Sequence, residues 1–444
     1  MENKKRAQWG SNFGFIMAAA GSAVGLGNLW KFPYLAGKNG GGVFVFVYLL
    51  IVLLIGFTIM LGEMVIGRST QLSSYNAYQK ISKNWSFIGA MGVITGFIVL
   101  SFYSVVGGWV LNYLYQYIAG GIPSDTSAYF VSFISNPISP IFWNMVFMAA
   151  TAYIVFKGIG GGIEKACKFM MPALFVLLIV ISIRAITLPG AGAGIAFYLT
   201  PDLSKLTTGT IVAALGQVFF SLSLGLGCII TYGSYLGKGE NLEKNSIIVP
   251  FIDTLVALLA GFAILPAVFA FGFEPGAGPG LMFITLPQVF DKMPLGWVFG
   301  ILFFILVLFA ALTSSISLLE VTVAYMQDQH KWRRTKAVIV LSTLMFLVGI
   351  PASLSMGIWS NVTIFGKNIF DSLVFASDIL LPLGGLLMCI FIGYVWGIDK
   401  AVAEITIGGK LPFRLKGFWT VMIKYVAPIA VIVVFLNALG ILKL

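Results

Sequence analysis

Two short glycine-rich segments carry groups that could bind small ions and polar ligands. The first runs from Gly21 to Asn28 (GSAVGLGN), and the second runs from Ser221 to Gly227 (SLSLGLG). Each glycine lowers helix stability by about 1 kcal/mol relative to alanine, and the neighbouring hydroxyl groups offer the backbone alternative hydrogen bonds. Backbone that unwinds at these points would present free carbonyl oxygens to a cation and free N–H groups to an anion.

Ionisable and hydroxyl side chains inside apolar stretches form a second group of candidates. Asp253, Glu63 and Glu320 all lie within such stretches, where an unpaired charge is costly and marks a functional residue by default. We interpret Glu63 and Glu320 as members of structural networks. The adjacent hydroxyls of Thr313 and Ser314 could ligate a cation or bond back to their own helix, and the residues by themselves favour the second use.

The residues that usually carry enzymatic chemistry offer nothing comparable. Cys167, Cys228 and Cys389 match no metal or Cys-x-x-Cys spacing, so we interpret them as small core residues. The single histidine, His330, lies in a charged loop and is interpreted as a solvated surface residue. The chain has no histidine-based acid–base pair, no setting for a cysteine nucleophile and no phosphate-binding loop, so it is not expected to be an enzyme.

The composition places these groups in a membrane. Of 444 residues, 59% are hydrophobic, 10% are charged and 51 are glycine, whereas a soluble domain is about 25% charged. Long, continuously apolar runs predict helices rather than the roughly 10-residue alternating strands of a membrane barrel, so the expected fold class is an all-α polytopic membrane protein. The predicted spans lie at residues 10–36, 42–68, 87–119, 139–156, 166–186, 209–236, 245–271, 295–326, 337–354, 369–396 and 418–441.

The net charge of +11 is explained by topology. Most lysines and arginines fall in alternate connections, beginning with the N-terminal segment. The positive-inside rule then predicts a cytoplasmic N-terminus and an extracellular or periplasmic C-terminus in a plasma (inner) membrane. No nucleic-acid partner is needed to account for the charge.

The two glycine-rich segments interrupt the first and the sixth span, which each begin a block of five. Because five is odd, the second block must cross the membrane in the opposite sense. Broken helices at matching positions of inverted halves are typical of the binding site of a secondary transporter; the alternative is that the glycines only allow close helix packing. The predicted division is 1–186 (first repeat), 187–208 (extracellular loop), 209–396 (second repeat) and 397–444 (cytoplasmic loop and last span).

Three sequence stretches resemble the neurotransmitter:sodium symporter family, which has the LeuT fold. They are WGSNFGFIMAAAGSAVGLGNLWKFPYLAGKNGGGVF, QVFFSLSLGLGCIITYGSYL and LTSSISLLE, in the first, sixth and eighth spans. The resemblance implies a 5+5 inverted repeat with discontinuous helices 1 and 6 plus an eleventh helix, as in a common bacterial branch. It also implies sodium-driven amino acid import by alternating access. A LeuT-fold carrier with different ion coupling and a non-transporting amino acid receptor or sensor on the same fold remain alternatives.

The resemblance also implies two sodium sites. One would join the first and eighth spans through the carbonyls of Gly21, Val24 and Ala310 and the hydroxyls of Thr313 and Ser314. The other would use the Ala23 carbonyl, Asn28, Ser221 and Asp253. Chloride-dependent relatives place an anion beside this second site; Tyr48, Gln217 and Ser221 of that pocket are retained, but Ala257 stands where Ser or Glu is usual. We predict that Asp253 supplies the negative charge and that no chloride is needed.

For the substrate, the resemblance implies an α-amino acid. The Leu26 and Gly27 amides and the Tyr103 hydroxyl would bind its carboxylate, and Gly25 would leave room where monoamine transporters carry Asp. The ammonium would meet the carbonyls of Ala23, Phe220 and Ser221, with Ser223 nearby. The side-chain subsite would comprise Val99, Phe220, Leu226 and Leu318 with Ser314 and Ser315, which favours a neutral, hydrophobic or aromatic side chain.

Residues at the two ends of the pathway match the gates of the same family. Inside, these are Arg6, Trp9, Tyr235 and Asp328. Outside, Phe220 and Tyr103 would form an aromatic lid, but Lys31 replaces the usual Arg and Val374 stands at the acidic position, with Asp371 and Asp378 one turn to either side. Gly162 and Pro172 enclose nine residues of the fifth span, a motif expected to unwind for sodium release, since Pro removes a helix hydrogen bond.

Overall fold

The structure is a computed structural model that describes residues 6–273 and 280–441. In this part of the chain, nine helices are long and apolar enough to cross a membrane, and one bent pair adds a tenth span. Two shorter helices occupy the position of the predicted sixth span. In chain order, spans 1 to 11 are Asn12–Ala23 with Gly27–Lys38, Gly42–Thr70, Lys83–Ala119, Ser139–Phe156, Ile159–Ile186, Thr208–Ser221 with Cys228–Gly233, Leu242–Ala270, Gly296–His330, Arg334–Leu354, Ile369–Trp396 and Lys416–Asn437.

The connections between spans contain short elements that the sequence analysis did not predict, because they are too short to produce an apolar run of spanning length. One of them, Ala191–Leu199, lies inside the predicted extracellular loop 187–208. The two strands, β1 (Thr363–Ile364) and β2 (Lys367–Asn368), pair antiparallel between spans 9 and 10. The remaining short helices are Ser74–Ile81, Thr126–Ser135, Leu203–Lys205, Leu281–Thr285, Leu286–Lys292 and Ile398–Ile405.

Span 1 is broken where its glycines predicted a break. The first half begins at a Ser11 cap, whose hydroxyl accepts a hydrogen bond from the Gly14 amide. It ends at Ala23, because Val24 adopts an extended conformation. The second half starts with a π-helical turn at Gly27, and the two halves are bent by 54°. The break therefore leaves carbonyls of the last turn without helical partners.

Span 6 is broken over Leu222–Gly227. Gly225 (φ 81°) and Gly227 (φ 74°) both have positive φ angles, which glycine adopts without the steric cost that a side chain would bring. Ser223 also has a positive φ (52°), and its hydroxyl donates to the Ser22 carbonyl at 2.8 Å. The Gly225 amide donates to Glu63 Oε1 at 2.7 Å. The two breaks are thus joined directly and are supported by a buried carboxylate of span 2.

The broken spans lie at the centre of the molecule. Span 1 packs against spans 5, 7 and 8, and the long spans 3 and 8 pack against each other. Every residue from Met17 to Leu29 is buried. Irregular backbone at membrane depth is tolerated only when protein surrounds it or when it lines a cavity, and this packing meets that condition.

Candidate functional site

A small cavity with a volume of about 40 Å³ lies between the two helix breaks. Spans 1, 3, 6 and 8 bring together there all but one of the residues that were predicted to bind substrate. These are Ala23, Gly25, Leu26, Gly27, Val99, Tyr103, Phe220, Ser221, Ser223, Leu226, Ser314 and Leu318. Ser22 and Leu381 also line the cavity and were missed. Ser315, the serine beside Ser314, faces span 4 instead, within 2.8 Å of the Thr151 hydroxyl.

One end of the cavity is suited to an anion. The Leu26 amide, at the start of the second half of span 1, donates to the Tyr103 hydroxyl at 3.3 Å. The Gly25 amide donates to Asn28 Oδ1 at 3.0 Å. Amide groups at a helix N-terminus and a hydroxyl that converge in this way provide a carboxylate with hydrogen-bond donors and a favourable dipole.

Gly25 is required at this end for space. A Cβ atom there would lie 2.6 Å from the Ser314 hydroxyl oxygen and 3.1 Å from the Tyr103 hydroxyl oxygen. Any side chain would therefore occupy the position beside the Leu26 amide. The geometry agrees with the expectation that a group of the ligand, rather than of the protein, fills this place.

Phe220 lies between this cavity and an outer cavity with a volume of about 320 Å³, and it lines both. The Lys31 ammonium lies 4.3 Å from the centroid of the Phe220 ring, which is cation–π distance. Asp378 lines the outer cavity together with Lys31, whereas Asp371 is exposed at the start of span 10. Of the two acids that flank Val374, Asp378 is therefore the one that faces the lid.

Asp253 is the centre of a buried polar cluster. Its carboxylate is fully buried and accepts hydrogen bonds from Ser221 Oγ at 2.7 Å and Asn28 Nδ2 at 2.8 Å. No lysine or arginine of the described residues forms an ion pair with it. A buried carboxylate without a cationic partner is strongly destabilising. The oxygens gathered here fit a small hard cation such as sodium.

A second group of oxygens lies between spans 1 and 8. The Ser314 hydroxyl donates to the Val24 carbonyl at 3.0 Å and lies 3.4 Å from the Gly21 carbonyl. The Thr313 hydroxyl instead bonds back to its own helix, to the carbonyls of Phe309 (3.0 Å) and Ala310 (3.1 Å). Thr313 therefore makes the back-bond to its own helix, whereas Ser314 contacts the break of span 1, and ligation of a cation by either hydroxyl stays a prediction. The carbonyls freed by the break also fit a hard cation.

The predicted inner gate residues lie together at the opposite end of span 1 from Lys31. Arg6 pairs with Asp328 (2.7 Å), and its guanidinium lies 4.6 Å from the centroid of the Tyr235 ring. The Trp9 amide donates to the Tyr235 carbonyl at 3.2 Å. Ser234, which the sequence analysis missed, accepts a hydrogen bond from Arg6 at 2.7 Å. These contacts join the N-terminal segment to spans 6 and 8 at this end of the molecule.

Comparison with known proteins identifies the family. The sequence profile described as the sodium:neurotransmitter symporter family matches residues 6–134 and 134–443. The chain belongs to the sodium:neurotransmitter symporter family. It is therefore a sodium-dependent secondary transporter and not an enzyme, as the sequence predicted.

Individual symporters and a solved structure agree with this assignment. The sodium-dependent transporter YhdH of Bacillus subtilis (strain 168) is 42% identical over 450 residues and covers 100% of both chains. The sodium- and chloride-dependent taurine transporter of Canis lupus familiaris is 28% identical over 480 residues, which are 94% of this chain and 76% of that transporter. The crystal structure of MhsT in complex with L-phenylalanine matches with a TM-score of 0.90 and 47% identity, over 98% of this chain and 100% of that one. The predicted LeuT fold is confirmed.

The residues that the family resemblance implies for a chloride pocket are buried in this structure. Among the buried polar atoms that lack a hydrogen-bond partner within the described part of the chain are Tyr48 Oη, Gln217 Oε1 and Thr254 Oγ1. Ala257 is also buried and brings only a methyl group. Thr254 directly follows Asp253 in span 7 and was not predicted from the sequence.

Span 5 of this symporter is fully helical. Gly162 lies in a π-helical turn (Ile159–Glu164), and Pro172 lies inside the α-helix that follows. Glu164, between the two, accepts hydrogen bonds from the Gly10 amide (2.7 Å) and the Ser11 hydroxyl (3.2 Å). The segment expected to unwind is thus bonded to the beginning of span 1. The unwinding itself stays a prediction.

Proposed function

We propose that this protein is a sodium-coupled symporter that imports a neutral, hydrophobic or aromatic L-amino acid by alternating access. The observation that carries the proposal is the cavity between the two breaks. It has hydrogen-bond donors at one end and apolar side chains at the other, and its lining includes no charged side chain. The complex of MhsT with L-phenylalanine supports an aromatic substrate.

The two ends of the cavity divide the recognition of the substrate. The Leu26 and Gly27 amides and the Tyr103 hydroxyl bind the α-carboxylate, and carbonyls beside the break of span 6 bind the α-ammonium. Val99, Leu226 and Leu318 surround the substrate side chain, and burial of its apolar surface contributes about 25 cal/mol per Å². A charged side chain would lose its hydration without gaining a partner.

Two sodium ions are transported with each substrate in this proposal. The first is bound by the Asp253 carboxylate, Asn28, Ser221 and the Ala23 carbonyl, close enough to the substrate for its carboxylate to complete the coordination. The second is bound by the Gly21, Val24 and Ala310 carbonyls with Thr313 and Ser314. Since the first site contains residues from both breaks, binding of the ion and of the substrate favours the same arrangement of spans 1 and 6.

Transport is independent of chloride in this proposal. The Asp253 carboxylate contacts the bound cation directly and balances its charge. Ala257 contributes neither a charge nor a hydroxyl to the neighbouring pocket. An anion at that position would meet the Asp253 charge without a compensating cation of the protein.

Alternating access requires that the two ends open in turn. On the predicted extracellular side, Phe220 and Lys31 separate the substrate cavity from the outer one. On the predicted cytoplasmic side, the Arg6–Asp328 pair and Trp9 close the pathway, and unwinding of span 5 between Gly162 and Pro172 releases the second sodium. The intact inner gate favours transport over a receptor that only binds amino acids.

The test is uptake into proteoliposomes. Radiolabelled phenylalanine is offered with and without an inward sodium gradient, and each of the other amino acids is added as an unlabelled competitor. We expect accumulation only with the gradient and competition chiefly by leucine, isoleucine, methionine, tyrosine and tryptophan. Binding without accumulation would favour the receptor, and accumulation without sodium would refute the proposed coupling. Replacement of chloride by gluconate is expected to leave uptake unchanged.

A further inference from the structure

Span 11 contains a lysine well inside its membrane-spanning helix. Lys424 follows the first residue of this span, Lys416, by eight positions, which is about 12 Å along a helix at 1.5 Å per residue. Its side chain is partly exposed and forms no ion pair within residues 6–273 and 280–441. A lysine at such depth is costly unless its ammonium reaches the interface or a partner of opposite charge.

Two tyrosines stand beside this lysine on the outer surface of the helices. Lys424 lies in a π-helical turn, and its ammonium is 5.8 Å from the centroid of the Tyr394 ring in span 10. The Tyr394 hydroxyl donates to the Lys424 carbonyl at 2.9 Å. Tyr394 and Tyr425 are 59% and 56% exposed, so both face away from the protein core. Tyrosines in such positions favour the headgroup level of a bilayer.

The connection between spans 10 and 11 adds further positive charge at the same end of the helix. Its basic side chains are all exposed, and in the described part of the chain none of them forms an ion pair or donates a side-chain hydrogen bond: Lys400, Lys410, Arg414 and Lys416. Its acids are Asp399 and Glu404, and Glu404 pairs with the buried Arg68 of span 2 at 2.8 Å. The surface therefore has a clear excess of free cations.

We infer that this surface binds the phosphate group of an anionic phospholipid. The surface consists of Lys424, Tyr394, Tyr425 and the four basic residues of the connection. A lysine side chain is long enough to carry its ammonium along the helix to the interface, where it and the ammonium groups of the connection can meet one headgroup. Charge complementarity decides the occupant. A second copy of this chain would bring the same cations to the contact, and a neutral lipid would leave them unpaired.

The position of the surface connects it to the inner gate. Glu404 lies in the short helix Ile398–Ile405 and binds both Arg68 and Lys238 (3.3 Å). Lys238 follows the second half of span 6, and its ammonium also donates to the Arg68 carbonyl at 2.8 Å. A lipid that holds the connection at the membrane therefore also holds a helix that contacts the end of span 2 and the segment after span 6, which contains the gate residue Tyr235.

The inference is tested by lipid titration of the purified full-length transporter in detergent. A fluorescent phosphatidylglycerol and the matching phosphatidylcholine are titrated at about 0.1 M KCl, and apparent dissociation constants are compared. A basic residue near an anionic surface contributes roughly 1 kcal/mol, so Lys424→Gln is expected to weaken phosphatidylglycerol binding about fivefold. Lys400→Gln with Lys416→Gln is expected to weaken it about 25-fold.

Two matched variants separate this site from a general effect of charge. Lys424→Arg keeps the cation and is expected to bind as the parent does. Lys83→Gln removes an exposed lysine from the beginning of span 3 and is expected to change binding less than twofold. A thermal melt without added lipid checks that each variant is folded. The inference fails if Lys424→Gln and Lys83→Gln bind phosphatidylglycerol equally, or if the parent binds phosphatidylcholine as tightly as phosphatidylglycerol. It also fails if this surface is occupied by a second copy of the transporter and no lipid is bound.

Discussion

At the scale of single residues, the site depends on groups that would be unfavourable anywhere else in the chain. Asp253 is a buried carboxylate with only neutral hydrogen-bond donors around it. Gly25 leaves a gap beside an amide and two hydroxyls. In the proposed function a bound cation neutralises the Asp253 charge. The carboxylate of the substrate fills the gap at Gly25 and accepts hydrogen bonds from the amide and the hydroxyl there. Such residues are therefore sensitive to very small changes.

Asp253→Asn tests the proposed charge balance. The amide keeps the shape but removes the negative charge, and its single oxygen can accept from only one of the two donors, Ser221 or Asn28. We expect the sodium concentration for half-maximal uptake to rise at least tenfold, since a loss of about 1.4 kcal/mol of cation binding already gives that factor. Sodium titration of uptake in proteoliposomes measures it. Asp399→Asn, an exposed acid in a connection, serves as the control and should behave as the parent.

Gly25→Ala tests whether the gap beside the Leu26 amide belongs to the ligand. The added methyl group would meet the Ser314 and Tyr103 hydroxyls, so substrate affinity is expected to fall more than tenfold while the protein remains folded. Equilibrium binding of labelled phenylalanine gives the affinity, and thermal melting gives the fold. Gly417→Ala, where a Cβ would meet no atom within 4 Å, is the matched control. Unchanged affinity in Gly25→Ala would contradict the proposed carboxylate position.

At the scale of elements, function depends on where helices stop. The break of span 6 requires positive φ angles at Gly225 and Gly227, and its backbone is packed closely against span 10, where Gly225 faces the Leu381 carbonyl. Glu63 binds the Gly225 amide from span 2. The local sequence allows the helix to break at this point, and contacts with spans 2 and 10 stabilise the broken conformation.

Gly225→Ala is expected to damage this break. An L-residue with φ near 81° is strained by about 1–3 kcal/mol, and the new methyl group would clash with the backbone of span 10. We expect a clear decrease in melting temperature together with loss of substrate binding. Gly216→Ala is the control, because it lies in the first half of the same span and its Cβ would meet nothing within 4 Å. Equal melting temperatures of the two variants would show that the break of span 6 does not require glycine at position 225.

Pro172→Ala tests the role of span 5. Alanine restores the backbone hydrogen bond that proline removes, so the helix should unwind less readily. Substrate and sodium affinities are expected to stay within twofold, while the maximal uptake rate falls several-fold because inward release of sodium becomes slower. The comparison of binding with uptake kinetics separates these effects. Pro351→Ala, in the interior of span 9, should leave both unchanged.

The sequence predicted the contents of the site better than its boundaries. The two breaks and the cavity lining could be predicted because glycine spacing acts locally and the family motifs fix the facing residues. Other residues of the site could not be predicted, because only the packing of neighbouring spans brings them there. They are Ser22, Leu381, Thr254 and Ser234. Asp378 and Asp371 lie almost equally far from Val374 in sequence, and only the rotation of span 10 in the bundle distinguishes them.

At the scale of the whole molecule, the proposed alternating access requires the closed inner end to be in equilibrium with an open one. The Arg6–Asp328 pair joins the N-terminal segment to the end of span 8, so its loss should increase the population of inward-open molecules. Cys167 and Cys228 report this opening, because both are fully buried near the inner halves of spans 5 and 6. Cys389 in span 10 is buried as well and serves as an internal reference.

Arg6→Ala is expected to increase the rate at which a small methanethiosulfonate reagent labels Cys228 or Cys167 several-fold, and to lower the apparent affinity for external substrate. The charge-exchanged variant, Arg6→Asp with Asp328→Arg, should restore part of both properties, because the attraction is kept while the partners are reversed. Mass spectrometry of the labelled protein measures each cysteine separately. If labelling of Cys389 rises equally in Arg6→Ala, the variant is loosened throughout and the pair is not a gate. If the exchanged variant labels like Arg6→Ala, the role of the pair depends on the surrounding Ser234 and Tyr235 contacts rather than on opposite charge.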